Sequence, residues 1–354
     1  MPKKILILTP FYLPNIGGAE TFTYQLVQEA KKWEHVTILT LQGLRSRGKK
    51  YEEYYYKRGS LKIHRLRWLL KSQMGVWKGT PLVLSSVLVV QFLISTFFLT
   101  LKNHFHILHA QGLIGGMVAV ILKKLFKVKV FITLLALYEF DKKPKWFQQI
   151  SRWIFKSCDI IFVEGENGKR DIHTVCQSEK IRTFNHWVDQ NLFKPPKQRL
   201  NDKIRVLFIG RPIPEKGRHI VEGAERLLNN PKYEFTYVEN IPYKDLSKLY
   251  QMAHIVVVPS LYAEGYSRVV AEAASCGCAV ITSDRGSLPE MVKDFGIVVE
   301  PTSNRIRYVL SGFDYNHLSH CAYLIAKRDF SSKNANVFLN EYSCGDYIND
   351  NTNV

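Results

Sequence analysis

Short apolar runs of about six residues alternate with longer stretches of helical periodicity along most of the chain. Lys4–Thr9 (KILILT) predicts a strand that ends at Pro10, and the spacing from Ala19 to Lys32 predicts a helix. Val36–Leu41, Ser60–Leu66, Phe105–His109, Val128–Thr133 and Asp159–Val163 predict further strands, with helical stretches between them. Strands that are apolar throughout are buried on both faces, so this alternation predicts a parallel sheet covered by helices on each side. The pattern breaks at Lys194–Lys203, a charged segment with two adjacent prolines, and restarts at Ile204–Ile209, which runs into Gly210. Glu234–Glu239, Ile255–Val258 and Ala279–Thr282 predict strands in the second half. The chain therefore reads as two similar α/β domains, 1–193 and 204–315, joined by a linker at 194–203. A helical segment at 316–345 and a polar tail at 346–354, expected to fray, complete it.

One stretch departs from this rhythm. Residues 79–101 (GTPLVLSSVLVVQFLISTFFLTL) carry no charge and are long enough to cross a bilayer. Predicted strands of one sheet flank the stretch, and a spanning helix would put them on opposite sides of the membrane. The expectation is a crossover helix that is buried or touches the membrane surface.

Composition narrows the class. The chain has 354 residues, 46% of them hydrophobic, enough for two cores. Six cysteines, none in a Cys-x-x-Cys pair, support neither a disulfide scaffold nor a zinc ribbon. The apolar run near the start is four residues, short of a secretory signal, so a cytoplasmic location is expected. The net charge of +18 is unevenly placed, because residues 1–200 hold 32 Lys/Arg against 13 Asp/Glu. Such a field suits an anionic membrane, nucleic acid or a phosphorylated acceptor. Arg65, Arg67, Lys71 and Lys78, interleaved with Trp68 and Trp77 before the uncharged stretch, predict peripheral docking on the cytoplasmic face of a membrane.

Some chemistries lack support. No Gly-x-Gly-x-x-Gly follows a strand, which removes the usual nicotinamide fingerprint, and no Asp-x-Asp is present to chelate a metal beside a sugar nucleotide. His104 and His106 face away from His109 on a strand and cannot converge on a metal. Three other segments carry more. Gly17-Gly18-Ala19-Glu20 opens the first predicted helix, where paired glycines and free amides suit phosphate. Arg211 and Lys216, set in a proline-stiffened loop between Gly210 and Gly217, can clamp a diphosphate. Glu264 and Glu272 are separated by seven residues, the first on a glycine loop and the second about two turns into a helix. Carboxylates accept sugar and ribose hydroxyls, while the amides of Gly265, Tyr266 and Ser267 face the same site.

In this order, the Gly-Gly-Ala-Glu turn, the Gly-Arg…Lys-Gly loop and the Glu-x7-Glu segment resemble the retaining family 4 glycosyltransferases over roughly residues 3–345. The resemblance implies the GT-B architecture, two Rossmann-like domains facing across a cleft. It implies that Gly17 and Gly18 lie beside the donor diphosphate, that Arg211 and Lys216 neutralise it, that Glu264 holds the transferred sugar and that Glu272 holds the ribose. On the acceptor side it points to His109 and Gln111, the latter standing where many members have histidine. The implied function is metal-independent, retaining transfer from a nucleotide-sugar to a hydroxyl of a glycan or lipid-linked acceptor, with no cofactor and no nucleic-acid partner. Two alternatives remain: a nucleotide-sugar epimerase on the same architecture, exposed by conversion without acceptor, and a non-enzymatic basic protein binding membrane or nucleic acid, exposed by failure to bind nucleotides.

Overall fold

The computed structural model describes residues 2–15, 17–42, 55–67, 81–200, 202–239, 241–312 and 314–343. It divides into two compact units, one of Met1–Phe184 with Ala335–Val354 and one of Asn185–Asn334.

The first unit is built on an eight-stranded sheet. Its strands are β1 (Lys4–Leu8), β2 (His35–Leu41), β3 (Tyr55–Arg58), β4 (Leu61–Leu66), β5 (Ile107–Gln111), β6 (Lys129–Leu134), β7 (Ile160–Glu164) and β8 (Ile181–Phe184), in the order β3-β4-β2-β1-β5-β6-β7-β8. All neighbours are parallel except the edge pair β3–β4. The strands read as apolar runs because helices cover both faces. On one face lie α2 (Pro81–Asn103), α3 (Gly112–Phe126) and α4 (Lys145–Ser157), where Phe92, Val118 and Phe155 pack on Leu108, Val130, Ile132 and Ile161. On the other, Phe22 of α1 (Gly18–Ala30) meets Phe184 and Phe338, at ring separations of 5.2 and 5.7 Å.

Phe338 belongs to α12 (Asn336–Ser343), so the chain returns to the first unit after completing the second. Phe338 stacks on Phe162 at 4.2 Å, and Tyr342, one turn later, stacks on Phe131 at 6.0 Å. The sequence pattern grouped 316–345 as one helical segment, whereas the units part it at Asn334. The cause is an aromatic i, i+4 pair matched to a sheet face far away in sequence. The first boundary likewise falls at Phe184, so residues 194–203 lie within the second unit.

The sheet also settles how the uncharged stretch is used. Helix α2 connects β4 to β5, and both strands belong to one sheet with only β2 and β1 between them. A helix whose two ends feed the same sheet does not span a bilayer. The basic and tryptophan-bearing positions 68–78 lie outside the described residues.

The second unit holds a five-stranded parallel sheet in the order β10-β9-β11-β12-β13, made of β9 (Ile204–Ile209), β10 (Tyr233–Val238), β11 (Ile255–Val258), β12 (Ala279–Ser283) and β13 (Gly296–Val299). Its helices are α6 (Arg218–Leu228), α7 (Tyr243–Met252), α8 (Arg268–Ser275), α9 (Leu288–Val292), α10 (Ser303–Leu310) and α11 (Tyr315–Asp329); α5 (Gly165–His173) belongs to the first unit.

Candidate active site

Three loops at the carboxyl ends of β9, β11 and β12 converge in the second unit. After β9 the chain makes a tight turn over Pro214–Lys216 and passes through Gly217, whose φ of 75° is left-handed. A Cβ there would lie 2.3 Å from the Pro259 carbonyl oxygen, so only glycine lets the β9 loop press against the β11 loop. A hydrogen bond of 2.8 Å from the Leu261 amide to the Glu215 carbonyl locks the two loops together. From β12, Gly286 (φ 61°) approaches so closely that a Cβ would meet the Glu264 backbone, and the Ser287 amide donates to the Glu264 carbonyl at 2.9 Å.

This packing brings Lys216 and Glu264 into a direct ion pair across 48 residues of sequence. Ser260 Oγ donates to Glu264 Oε1 at 2.6 Å and the Tyr262 hydroxyl donates to it at 3.1 Å, while the Lys216 ammonium lies 5.1 Å over the Tyr262 ring. Burial pushes the Glu264 carboxyl up, but the Lys216 charge and the three hydrogen bonds outweigh it and hold the group below its ordinary range. Lys216 is shifted the other way: burial lowers it, and the neighbouring carboxylate raises it further. The pair is therefore ionised. All three donors meet on Oε1, and Oε2 lies outside the cluster.

Glu272 sits one turn into α8, not two, because the helix starts at Arg268. Its carboxylate is buried, with Arg268 Nη2 donating to Oε1 at 3.0 Å and the Tyr250 hydroxyl to Oε2 at 3.0 Å. Arg268 also reaches the Tyr243 hydroxyl at 3.2 Å. Burial raises the Glu272 carboxyl above its ordinary value, and Arg268 and Tyr250 offset only part of this. Both of its oxygens are engaged by protein groups. The Ser267 amide, grouped in the sequence with those of Gly265 and Tyr266, donates to Met291 Sδ at 3.1 Å, and the Tyr266 ring lies against His186 at 5.2 Å. Arg211 is exposed and makes no ion pair among the described residues.

The remaining positions belong to the first unit. Gly17 and Gly18 stand at the head of α1, where the Glu20 carboxylate folds over Gly17, 2.3 Å from where a Cβ would be. His109 is fully buried: Nδ1 meets the Tyr342 hydroxyl at 2.5 Å and Nε2 meets Thr133 Oγ1 at 2.7 Å. Burial pushes its imidazole down to about 3. Both nitrogens are thus committed inside an aromatic core that includes Phe162 and Tyr342. Gln111, two residues on at the head of α3, is the reverse. It is 7% exposed, yet neither carboxamide atom finds a hydrogen-bond partner among the described residues.

Sequence reasoning missed Ser260, Tyr262, Tyr250 and Arg268. Only Arg268 left a readable signal, an i, i+4 arginine–glutamate pair with Glu272. It also missed Asp171, whose carboxylate accepts from the amides of Tyr138, Glu139 and Phe140 at 2.7, 3.1 and 2.9 Å and so shapes the loop after β6.

Comparison with known proteins identifies the fold. Sucrose-phosphate synthase from Thermosynechococcus elongatus superposes with a TM-score of 0.76 at 17% identity, covering 96% of this chain and 98% of that one. Anabaena HepE in complex with UDP and glucose superposes with a TM-score of 0.71 at 14% identity, with the same coverage. The fold is that of the GT-B glycosyltransferases. Residues 190–312 match the family described as glycosyl transferases group 1. The O-antigen chain mannosyltransferase B of Escherichia coli is 45% identical over 65 residues, which span 18% of this chain and only 17% of that protein. One subunit of the phosphatidylinositol N-acetylglucosaminyltransferase of Arabidopsis thaliana is 22% identical over 335 residues, covering 84% of this chain and 71% of that protein.

Proposed function

We propose that the chain is a retaining glycosyltransferase that moves a sugar from a nucleotide-sugar to a hydroxyl of a glycan or lipid-linked acceptor, without a metal ion. The observation that carries this reading is the buried, ionised Lys216–Glu264 pair, held by Ser260 and Tyr262 within the segment that matches the family. A compensated pair in a glycine-bound loop cluster has a fixed cation for a phosphate and a fixed acceptor for a hydroxyl.

In the proposed reaction the acceptor oxygen forms a bond to the anomeric carbon as the carbon–phosphate oxygen bond breaks. The nucleoside diphosphate leaves, and its phosphate oxygen takes the acceptor proton. Negative charge grows on the departing phosphate. Lys216 and Arg211 are assigned to stabilise it, each such group being worth about 2.7–4 kcal/mol. Glu264 is assigned to the hydroxyls of the transferred sugar through Oε2. Glu272 is assigned to the ribose, which requires Tyr250 or Arg268 to share it. Gln111 is the acceptor-side candidate, because its unsatisfied carboxamide can still bond a hydroxyl. The buried free thiols of Cys158 and Cys278 fit a reducing, cytoplasmic setting.

The test is thermal shift and product formation with UDP-, GDP- and ADP-sugars. A matching donor raises the melting temperature, and its nucleoside diphosphate is released in step with glycosylated acceptor. Conversion of the donor sugar without acceptor would favour an epimerase. Absence of binding to any nucleotide would remove the enzymatic reading.

A further inference from the structure

The helical layer over one face of the first sheet has a second apolar side, turned outward. On α2 the exposed positions include Val90, Ile94, Phe98 and Leu101, spaced along one stripe. On α3 they include Ile121 and Leu125, one turn apart, and on α4 Trp146, Ile150 and Trp153, again on one stripe. Each of these side chains is between 37% and 63% exposed, far more than a helix buried in a core would show. The stripes are neighbours. Phe97, beside Phe98, packs on Phe126 of α3 at 5.5 Å, and Ile154 of α4 packs against Gly116 of α3. Of the apolar segment Ser86–Asn103, only 22% is buried.

Charge decides what covers this layer. The three helices contain no Asp or Glu, but hold Lys102, Lys123, Lys124, Lys145, Arg152 and Lys156. Among these, Lys102, Lys124, Lys145, Arg152 and Lys156 are exposed. A second copy of the chain laid on this layer would oppose cations to cations with no acid to compensate them. An anionic bilayer complements the layer in both respects, with phosphates for the cations and an interface for the two tryptophans.

We propose that α2, α3 and α4 form a membrane-docking layer that lies flat on an anionic bilayer, with Phe98, Leu125, Ile150 and Trp153 dipping into the headgroup boundary. Helix α2 contributes its outer side without crossing, as its place between two strands of one sheet requires. This assignment does not rest on the proposed transferase chemistry. It is tested on donor-free chain, so its failure leaves that chemistry standing.

The experiment is flotation of the full chain with vesicles of phosphatidylcholine alone and with about 30% phosphatidylglycerol, at about 50 and 500 mM salt. Binding is expected to the anionic vesicles and to weaken at high salt. The pair Phe98→Ser/Trp153→Ser is expected to lower affinity about tenfold or more, and so is Lys124→Glu/Lys145→Glu/Lys156→Glu. All five sites are exposed, and unchanged circular dichroism checks that the variants stay folded. Quenching of tryptophan by brominated lipid is expected in the parent chain and to diminish in Trp146→Phe/Trp153→Phe. The proposal is overturned if the parent fails to float with anionic vesicles, or if flotation survives both sets of substitutions. It is equally overturned if sedimentation shows a dimer that Phe98→Ser dissociates, since the layer then serves a second copy.

Discussion

The carboxyl ends of the strands differ between the two units. At β9 and β11 every buried charge has its counter-charge built in: Lys216 holds Glu264, and Arg268 holds Glu272. At β5 the two polar residues part ways. His109 is closed, with both nitrogens bonded in an aromatic core, while Gln111 is open, with both carboxamide atoms unbonded among the described residues. The difference is one of preorganisation. The second unit carries ion pairs already compensated within the fold, and its loops are pinned by Gly217 and Gly286. At the end of β5 the first unit keeps an uncommitted carboxamide, Gln111, beside the fully bonded His109. A site for an invariant charged ligand gains from fixed charges, whereas a site for a hydroxyl-bearing partner needs only an unspent hydrogen bond.

The largest effect expected from breaking this contrast is on the closed wall of the first unit. The His109 imidazole sits at about 3 in the fold against an ordinary 6.5. The unfolded chain therefore takes up the proton first as pH falls. The stabilisation is intact above pH 6.5 and is lost as pH drops toward 3, by about 1.4 kcal/mol per pH unit within that window. Urea denaturation at stepped pH is expected to show this slope, and His109→Phe to flatten it. An unchanged slope in the variant would show that His109 is not buried neutral.

Next in size is the Arg268–Glu272 pair. Arg268→Met leaves a buried carboxylate without its cation and is expected to cost about 3–5 kcal/mol. Adding Glu272→Gln is expected to recover much of that loss, because the stranded charge is gone. Additive losses in the double variant would mean that the pair is not coupled.

Lys216→Ala is expected to cut turnover about 10²–10³-fold. It also leaves Glu264 buried without its cation, so the acid limb of the pH–rate profile is expected to move to higher pH. The shift separates loss of the pair from loss of a remote lysine, and a folded variant with near-normal turnover removes Lys216 from the mechanism.

The smallest expected effect lies at the open position. Gln111→Ala is expected to raise the acceptor KM about tenfold, the worth of a single hydrogen bond to a hydroxyl, and to leave the donor KM unchanged. Loss of donor affinity instead would move Gln111 to the donor side.

The alternation of apolar runs and helices was enough to predict β1, β2, β4, β5, β6, β7, β9, β10, β11 and β12, because a doubly covered parallel strand leaves a largely apolar trace. Three strands left weaker traces. β3 is an antiparallel edge strand of polar composition (YYKR), and β8 (IRTF) and β13 (GIVV) are four residues each. Among site residues, Glu264, Glu272 and Lys216 were legible as charged residues set among glycines and prolines. Arg211 was read by the same logic, and the structure leaves it exposed and outside the ion pair.

The sequence by itself determined the two α/β units, the asymmetry of charge and the uncharged stretch that holds α2, since each of these is a local pattern of period, composition or sign. Tertiary structure alone decided that Lys216 meets Glu264, that Glu272 is already held by Arg268 and Tyr250, that both His109 nitrogens are bonded while the Gln111 carboxamide is not, and that Phe338 and Tyr342 return to the first sheet. Those outcomes depend on which loops and faces come into contact. A loop contact is set by the fit of a backbone such as Gly217 against the Pro259 carbonyl, and nothing in the local spacing of either segment records that distance.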